Sequence, residues 1–326
     1  MASILKRLTG RQPAVESPAG GPGEIELRAH GARVVIVPEL GGRITALELD
    51  GRQWLAPGAP PDGAPEEARG AATGWEECFP TVGAARLVSK NSGLAIEIPV
   101  LGEARTLRPA TTIETLDGAL EATCAWTGQR MSYELTRTTR VAAGEVTMRY
   151  AAKNTGAAPM PFIWAANVAM PLGSATRIAL PDNARARVLA QHGIDMLGVG
   201  AEHRWPRFRT AKKIVDMGAP DAVAGRYAVH VSFDLPVGYV TVTEGGARLE
   251  LRLDPTVISR IGVAVRRKPG EARLLTLQPS IGIPDAVAHA AGVDASAAWL
   301  EPGETRRWSM TWRGGAGAAA SEARPE

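Results

Sequence analysis

The sequence predicts an all-β fold, a large sandwich with a few short helices, on three observations. Hydrophobic and polar residues alternate with the period of two that a half-buried strand requires, as in residues 146–150 and 248–253. Short turn signals such as Asp50-Gly51 separate these segments and suit antiparallel hairpins. Helical periodicity is confined to two short stretches, near residues 284–291 and 295–299, so we expect helices to be minor parts of the fold.

Length and composition favour one globular domain with loose ends. The 326 residues are 45% hydrophobic and 22% charged, which supplies enough apolar material for a sizeable core. No Pro/Ser-rich linker or long charge run divides the middle of the chain. We therefore predict a flexible N-terminal segment over 1–23, a single sandwich domain over 24–313 and a disordered tail over 314–326.

Charge and cysteine content exclude several classes of function. A net charge of +3 is too mild to predict nucleic-acid binding, and no apolar run is long enough to predict a membrane span. The two cysteines, Cys78 and Cys124, and the lack of a signal-peptide pattern favour a cytoplasmic protein without disulfides. The five histidines are scattered without metal-ligand spacing, so we predict neither a metal nor a cofactor.

Four segments in order along the chain carry a resemblance to a known family. They are VIVPELGGRI at 35–44 with Asp50-Gly51, GWEECFPT at 74–81, PFIWAAN at 161–167, and LQPS at 277–280 with Pro284-Asp285 and LEPGE at 300–304. Together they resemble the aldose 1-epimerase (galactose mutarotase-like) superfamily. The resemblance implies a many-stranded β-supersandwich with a sugar cleft on one sheet.

The positions where that family keeps its acid/base residues differ in this chain. The resemblance aligns Leu101 with a family histidine, Asn167 with a second histidine and Gln278 with a glutamate. None of the three side chains titrates usefully near neutral pH. The amides of Asn167 and Gln278 can still bind sugar hydroxyls, although they could instead satisfy backbone groups at strand ends.

The remaining acids and one histidine are the candidates for relocated catalysis, namely Glu77, Glu103 and His203. Adjacent strand residues point to opposite faces, so at most one of Glu76 and Glu77 faces the predicted cleft. Trp75 would share a face with Glu77, where it could hold the apolar face of a sugar or belong to the core.

A basic segment at 203–213 mixes cationic side chains with two aromatic ones. Arg204, Arg207 and Arg209 could bind an anionic sugar, because guanidinium groups bind phosphate or carboxylate bidentately. The alternative is a surface segment whose Trp205 and Phe208 pack underneath while the arginines face water.

Three functional hypotheses remain open from the sequence. The first is a carbohydrate-binding, mutarotase-like protein that lacks the standard acid/base pair. The second is an aldose 1-epimerase or other sugar-active enzyme with relocated groups, and the third is a structural or partner-binding module. The expected partner is a small-molecule sugar or sugar phosphate, with no nucleic acid and no membrane, and the oligomeric state stays open.

Overall fold

A computed structural model describes residues 23–29, 31–57, 74–88, 95–117, 119–142, 144–181, 184–234, 238–267, 273–292 and 295–316. The predicted flexible segment lies almost entirely outside the described residues, as does most of the predicted tail. The last described strand continues to Ala316, which pairs with Ala247, so residues 314–316 belong to a sheet. Within these ranges, no helix is both long enough and apolar enough to cross a bilayer.

Strands dominate the described chain, as the alternation predicts. In chain order they are β1 (Ile25–Ala29), β2 (Ala32–Val37), β3 (Arg43–Leu49), β4 (Arg52–Gln53), β5 (Trp75–Cys78), β6 (Ala85–Val88), β7 (Ala95–Ile98), β8 (Ala110–Leu116), β9 (Ala119–Thr127), β10 (Tyr133–Ala142), β11 (Glu145–Asn154), β12 (Met160–Phe162), β13 (Trp164–Pro171), β14 (Arg177–Ala179), β15 (Arg185–His192), β16 (Glu202–Arg204), β17 (Arg207–Arg209), β18 (Ile214–Asp216), β19 (Tyr227–Asp234), β20 (Tyr239–Glu244), β21 (Ala247–Leu253), β22 (Arg260–Arg267), β23 (Leu274–Ile281), β24 (Ala298–Leu300) and β25 (Thr305–Ala316).

In the described part of the chain one short α-helix, α1 (Val287–Gly292), follows β23, and single 3-10 turns lie at Pro38–Leu40, Ala104–Thr106 and Pro220–Ala222. The helix predicted near 284–291 is therefore present. The helix predicted near 295–299 is wrong, because residues 298–300 form β24 and pair with β12. Tertiary pairing decides that segment, since a run this short has little helical preference of its own.

Two large antiparallel sheets form the sandwich. Thirteen described strands make the larger sheet, in the order β1-β2-β3-β5-β13-β23-β22-β19-β15-β16-β17-β18 with β4 beside β3. Eight make the smaller sheet, in the order β14-β20-β21-β25-β11-β10-β9-β8. Two short pairs, β6-β7 and β12-β24, stand apart. The all-β sandwich with few helices that the sequence predicts is confirmed.

The core lies between the two sheets because each strand turns alternate side chains inward. On β11 the apolar residues Val146, Met148 and Tyr150 are buried, while Arg149 between them is exposed. Most of the buried apolar side chains form one large cluster contributed by both sheets, as expected for stacked sheets. The opposite face of the larger sheet is then free to carry polar side chains.

Candidate functional site

A row of polar side chains crosses the outer face of the larger sheet. The register places Glu76 on β5 opposite Asn167 on β13, and places Gln278 on β23 opposite Gly262 on β22. Ser232 on β19 lies opposite Gly262 in turn. Directly opposite residues in antiparallel strands share a face, so distant parts of the sequence form one line of side chains.

Hydrogen bonds join three of these side chains in a fixed direction. The Asn167 Nδ2 group donates to Glu76 Oε1 over 3.1 Å, and the Gln278 Nε2 group donates to Asn167 Oδ1 over 3.0 Å. An ionised carboxylate accepts but cannot donate, so Asn167 turns its Nδ2 group towards Glu76. The Oδ1 atom of Asn167 then faces Gln278, which donates to it through its Nε2 group. The chain therefore leaves Gln278 Oε1, an acceptor, at its far end.

Two arginines hold the other side of the Glu76 carboxylate. Arg43 donates to Glu76 Oε2 over 2.8 Å, and the Arg105 Nε group donates to the same oxygen over 3.2 Å. All three side chains are buried. Buried charges need such pairing, because an isolated one carries a large desolvation penalty. Glu76 is thus a carboxylate with both oxygens occupied.

Three unpartnered polar atoms surround Gly262. Gln278 Oε1, His230 Nε2 and Ser232 Oγ are shielded from solvent and have no hydrogen-bond partner among the described residues. A Cβ at position 262 would lie 2.9 Å from both Gln278 Oε1 and His230 Nε2. Glycine avoids this crowding, so the row ends in a niche formed by Gly262 and by buried polar atoms that require a partner.

His230 is neutral in this setting. Burial lowers the pKa of its imidazole to about 4, although the Gln278 side chain and the Asp285 charge act in the opposite direction. Desolvation disfavours the charged form of a histidine. At neutral pH the ring therefore offers one donor and one acceptor nitrogen and no charge.

The structure brings into direct contact two of the three positions that the resemblance aligns with family acid/base residues. Asn167 and Gln278, far apart in sequence, are hydrogen-bonded neighbours. Leu101 packs on an apolar cluster that includes Cys78 and Ala165. These two residues lie two positions along β5 and β13 from Glu76 and Asn167, on the same face of the sheet. Leu101 is therefore on the side of the sheet that carries the polar row.

Glu77 and Trp75 lie on the opposite face of β5, inside the sandwich. Glu77 Oε1 accepts hydrogen bonds from Trp75 Nε1 at 3.1 Å, Arg137 at 2.9 Å and the Tyr150 hydroxyl at 3.1 Å. Its Oε2 accepts from Trp164 Nε1 at 2.9 Å. The side chains of Glu77 and Arg137 are completely buried. Four donors thus occupy Glu77 in the core, and Trp75 is one of them.

Glu103 and His203 are also occupied by local contacts. Glu103 accepts the backbone N–H groups of residues 129–131 at 3.2, 2.9 and 3.4 Å and so holds that turn. The Nδ1 of His203 accepts the N–H of Arg209, and its Nε2 bonds the carbonyl of Met196. Both ring nitrogens of His203 therefore have backbone partners, and its ring stacks on Phe208.

The basic segment forms β16 and β17 near one edge of the larger sheet. Arg204, Arg207 and Arg209 are exposed, whereas Trp205 and Phe208 are buried. Arg204 lies opposite Arg185 on β15. These strands lie beyond β15, so the three arginines are farther from the polar row than β15 itself.

Sequence reasoning missed His230, Ser232 and the two arginines that hold Glu76. His230 and Ser232 do carry a local signal, because they alternate with the buried Val229 and Val231. That alternation places them on the face away from the core. They lie near Gln278 because β22 pairs with β19 on one side and with β23 on the other. The local sequence pattern does not specify these pairings.

Comparison with known proteins identifies the fold through structure alone. No family model matches the chain, and no curated protein matches it by sequence. Among solved structures, the Slr1438 protein of Synechocystis sp. PCC 6803 has a TM-score of 0.70 at 16% identity, covering 97% of this chain and all of that one. A putative aldose 1-epimerase of Escherichia coli K12 has a TM-score of 0.64 at 16% identity, covering 90% and 99% of the two chains.

A galactose mutarotase-like protein of Clostridium acetobutylicum is similar at a TM-score of 0.65 and 12% identity, covering 90% of this chain and 95% of that one. In all three comparisons the likeness extends over at least 90% of this chain. At such low identity the likeness establishes the fold, whereas function depends on the residues of the site itself.

Proposed function

We propose that this protein binds a carbohydrate on the polar row of its larger sheet and lacks the standard acid/base pair of an epimerase. The observation that supports this most directly is the hydrogen-bonded chain from Glu76 through Asn167 to Gln278. It ends beside the niche at Gly262, where buried polar atoms lack partners. Similar structures carry names that refer to aldose epimerases and galactose mutarotases, which points to sugars as the ligand class.

The direction of the chain defines the group that the niche can receive. Gln278 presents a carbonyl oxygen, so the matching ligand atom is a hydrogen-bond donor. The neutral His230 ring can accept from or donate to the same group, depending on its tautomer. A sugar hydroxyl both donates and accepts, and so it can satisfy Gln278 and His230 together. No charge on the ligand is required at this point.

The same residues argue against standard mutarotation. That reaction needs a base to take the proton of the anomeric hydroxyl and an acid to protonate the ring oxygen. Amide side chains at 167 and 278 do neither at neutral pH, and Leu101 has no polar group. Losing a positioned acid or base typically lowers the rate by about 10²–10⁴-fold. We therefore expect the protein to bind a sugar without appreciable mutarotation.

A second candidate function is an enzyme that uses Glu76 and His230, since these two titratable groups stand at the two ends of the row. Two observations count against it. Both oxygens of Glu76 are engaged by Asn167 and by two guanidinium groups. His230, with a pKa of about 4, is a weak base and is unprotonated at neutral pH, whereas effective catalysts titrate near working pH.

The test combines binding and rate measurements on one preparation. Calorimetry and thermal shift with glucose, galactose and other aldoses measure binding, and polarimetry measures anomerisation. We expect binding without an appreciable rate, and we expect Gln278→Leu to weaken binding. The control is Gln129→Leu, which changes an exposed glutamine elsewhere and should bind as the wild type does.

Each other outcome selects a different hypothesis. A robust rate that Glu76→Gln and His230→Gln abolish would favour the enzyme. Absence of both binding and rate across the aldoses would favour a structural or partner-binding module. Equal losses of affinity in Gln278→Leu and Gln129→Leu would refute the assignment of the ligand to the polar row.

A further inference from the structure

A cavity adjoins the niche on the side of β15. Its volume is about 350 Å³, and its lining includes Arg187, His230, Asp285 and His289. His230 therefore belongs both to the niche and to the lining of the cavity, and it links the two sites. Apolar residues, including Val199 and Ile283, complete the lining.

Arg187 is the cation of this cavity. The register places it opposite Ser232, and Ser232 is opposite Gly262, so Arg187 shares the face of the polar row. Two strand spacings separate it from Gly262, roughly 10 Å in all. Its side chain is exposed, and within the described ranges it forms no ion pair, in contrast to Arg185 on the same strand, which pairs with Glu202.

From this juxtaposition we propose that the cavity is a subsite for an anionic substituent of the sugar, a phosphate or a carboxylate, bound by Arg187. This inference rests on the proposed function and specifies its substrate class. The planar guanidinium matches the oxygens of either group bidentately. An exposed arginine without a carboxylate partner has its donors available for a ligand.

Asp285 and the neutral His230 complement this arrangement. One oxygen of Asp285 accepts the N–H of Ala286, and as an acceptor the carboxylate is suited to a ligand hydroxyl rather than to an anion. A ligand would then be oriented by its hydroxyl groups at Asp285 and at the niche, and by its charged group at Arg187. Three different contacts of this kind define one pose better than hydroxyl contacts alone.

This assignment differs from the one that the sequence offered. Arg204, Arg207 and Arg209 are on strands that continue outward from β15, and none of them lines the cavity. Arg187 was not a candidate from the sequence, because only the register of β15 with β19 brings it beside the site.

The test is a calorimetric comparison of three probes, namely glucose, glucose 6-phosphate and glucuronate. In low salt we expect at least one of the two charged sugars to bind the wild-type protein about tenfold more tightly than glucose, because hydrogen bonds to a charged group are the stronger ones. The preference should shrink in high salt. Arg187→Gln should abolish it, and Arg204→Gln, the matched control, should retain it, with circular dichroism confirming that both variants fold.

The failures of the two proposals can be distinguished. If glucose binds and neither charged sugar is preferred, the anionic subsite is refuted while the carbohydrate site stands. If Arg204→Gln removes the preference and Arg187→Gln retains it, the assignment to Arg187 is refuted. If none of the three probes binds, and neutral aldoses do not bind either, the proposed function fails and this inference fails with it. A preference for only one of the charged sugars identifies which anionic group the subsite takes and supports the proposal.

Discussion

Replacing Arg137 with methionine should destabilise the protein strongly, because it leaves the Glu77 carboxylate charged and buried. Arg137 is the only cation among the four donors to Glu77, at 2.9 Å, and it also donates to the carbonyl of Gly42. Methionine has a similar length and can occupy much of the space, so lost packing contributes little. The variant therefore reports mainly on charge and hydrogen bonding.

The magnitude follows from the burial of the pair. Both side chains have no exposed surface, and removing one partner of a buried ion pair costs about 3–5 kcal/mol. The Gly42 carbonyl also loses its donor, which adds about 1–3 kcal/mol to the loss of stability. Because a typical domain is stable by only about 5–15 kcal/mol, we expect Arg137→Met to lower the free energy of unfolding by about 4 kcal/mol or more.

Urea unfolding followed by tryptophan fluorescence and far-ultraviolet circular dichroism measures this loss. The matched control is Arg140→Met on the same strand, whose ion pair with Glu121 lies on the outer face and is a quarter exposed on the arginine side. Such a pair contributes about 1 kcal/mol or less. Similar losses in the two variants would refute the reasoning.

A double variant separates the charge from the hydrogen bonds. Glu77→Gln combined with Arg137→Met removes both charges and keeps one carbonyl acceptor, which can serve one of the two indole N–H groups that bond different oxygens of Glu77, those of Trp75 and Trp164. We expect the double variant to be more stable than Arg137→Met alone, since no buried charge remains unpaired. The Tyr150 hydroxyl stays a donor in either case, because burial raises its pKa well above the ordinary value. A double variant no more stable than the single one would show that the charge of Glu77 is not the cause.

Three further predictions concern the polar row. Lowering the pH from about 6.5 towards 4 should reduce the free energy of unfolding by about 3 kcal/mol through His230, because this histidine binds a proton more readily in the unfolded chain than in the folded one. Urea unfolding at several pH values measures this dependence. The dependence should be weaker in His230→Gln, and an unchanged dependence would contradict the prediction. Gln278→Glu alone should not produce glucose or galactose mutarotation in polarimetry, since Leu101 and Asn167 still lack imidazoles and groups that act together are not additive; a substantial rate would overturn this. Glu76→Gln should weaken aldose binding by about tenfold in calorimetry, because an amide at 76 can donate and no longer orients the chain; unchanged affinity in a folded variant would exclude the positioning role.

The sequence predicts the strands and the fold class well because those depend on local patterns, and it places Asn167 and Gln278 in one site only through the ordered family resemblance. Alternation also shows that Glu76 and Glu77 face opposite ways, but not which one faces the core. That choice depends on Arg137 and Tyr150, which donate to Glu77 from the other sheet. Contacts across the sandwich leave no trace in the local sequence, and neither does the register that brings His230 to Gly262.

The two adjacent carboxylates of β5 explain how one short strand supports both the core and the site. Glu77 accepts hydrogen bonds from donors inside the sandwich. Two of these donors, Arg137 and Tyr150, belong to the smaller sheet, so Glu77 joins the two sheets at this point. Glu76, one residue away and therefore on the other face, is satisfied by guanidinium groups and by Asn167. A carboxylate can only accept, so Asn167 donates to Glu76 and Gln278 donates to Asn167. The direction of these hydrogen bonds leaves the Gln278 oxygen as an acceptor. A glutamine at the end of this hydrogen-bonded chain cannot transfer a proton at neutral pH, but it presents an acceptor at the place where, in the proposed function, a sugar hydroxyl donates.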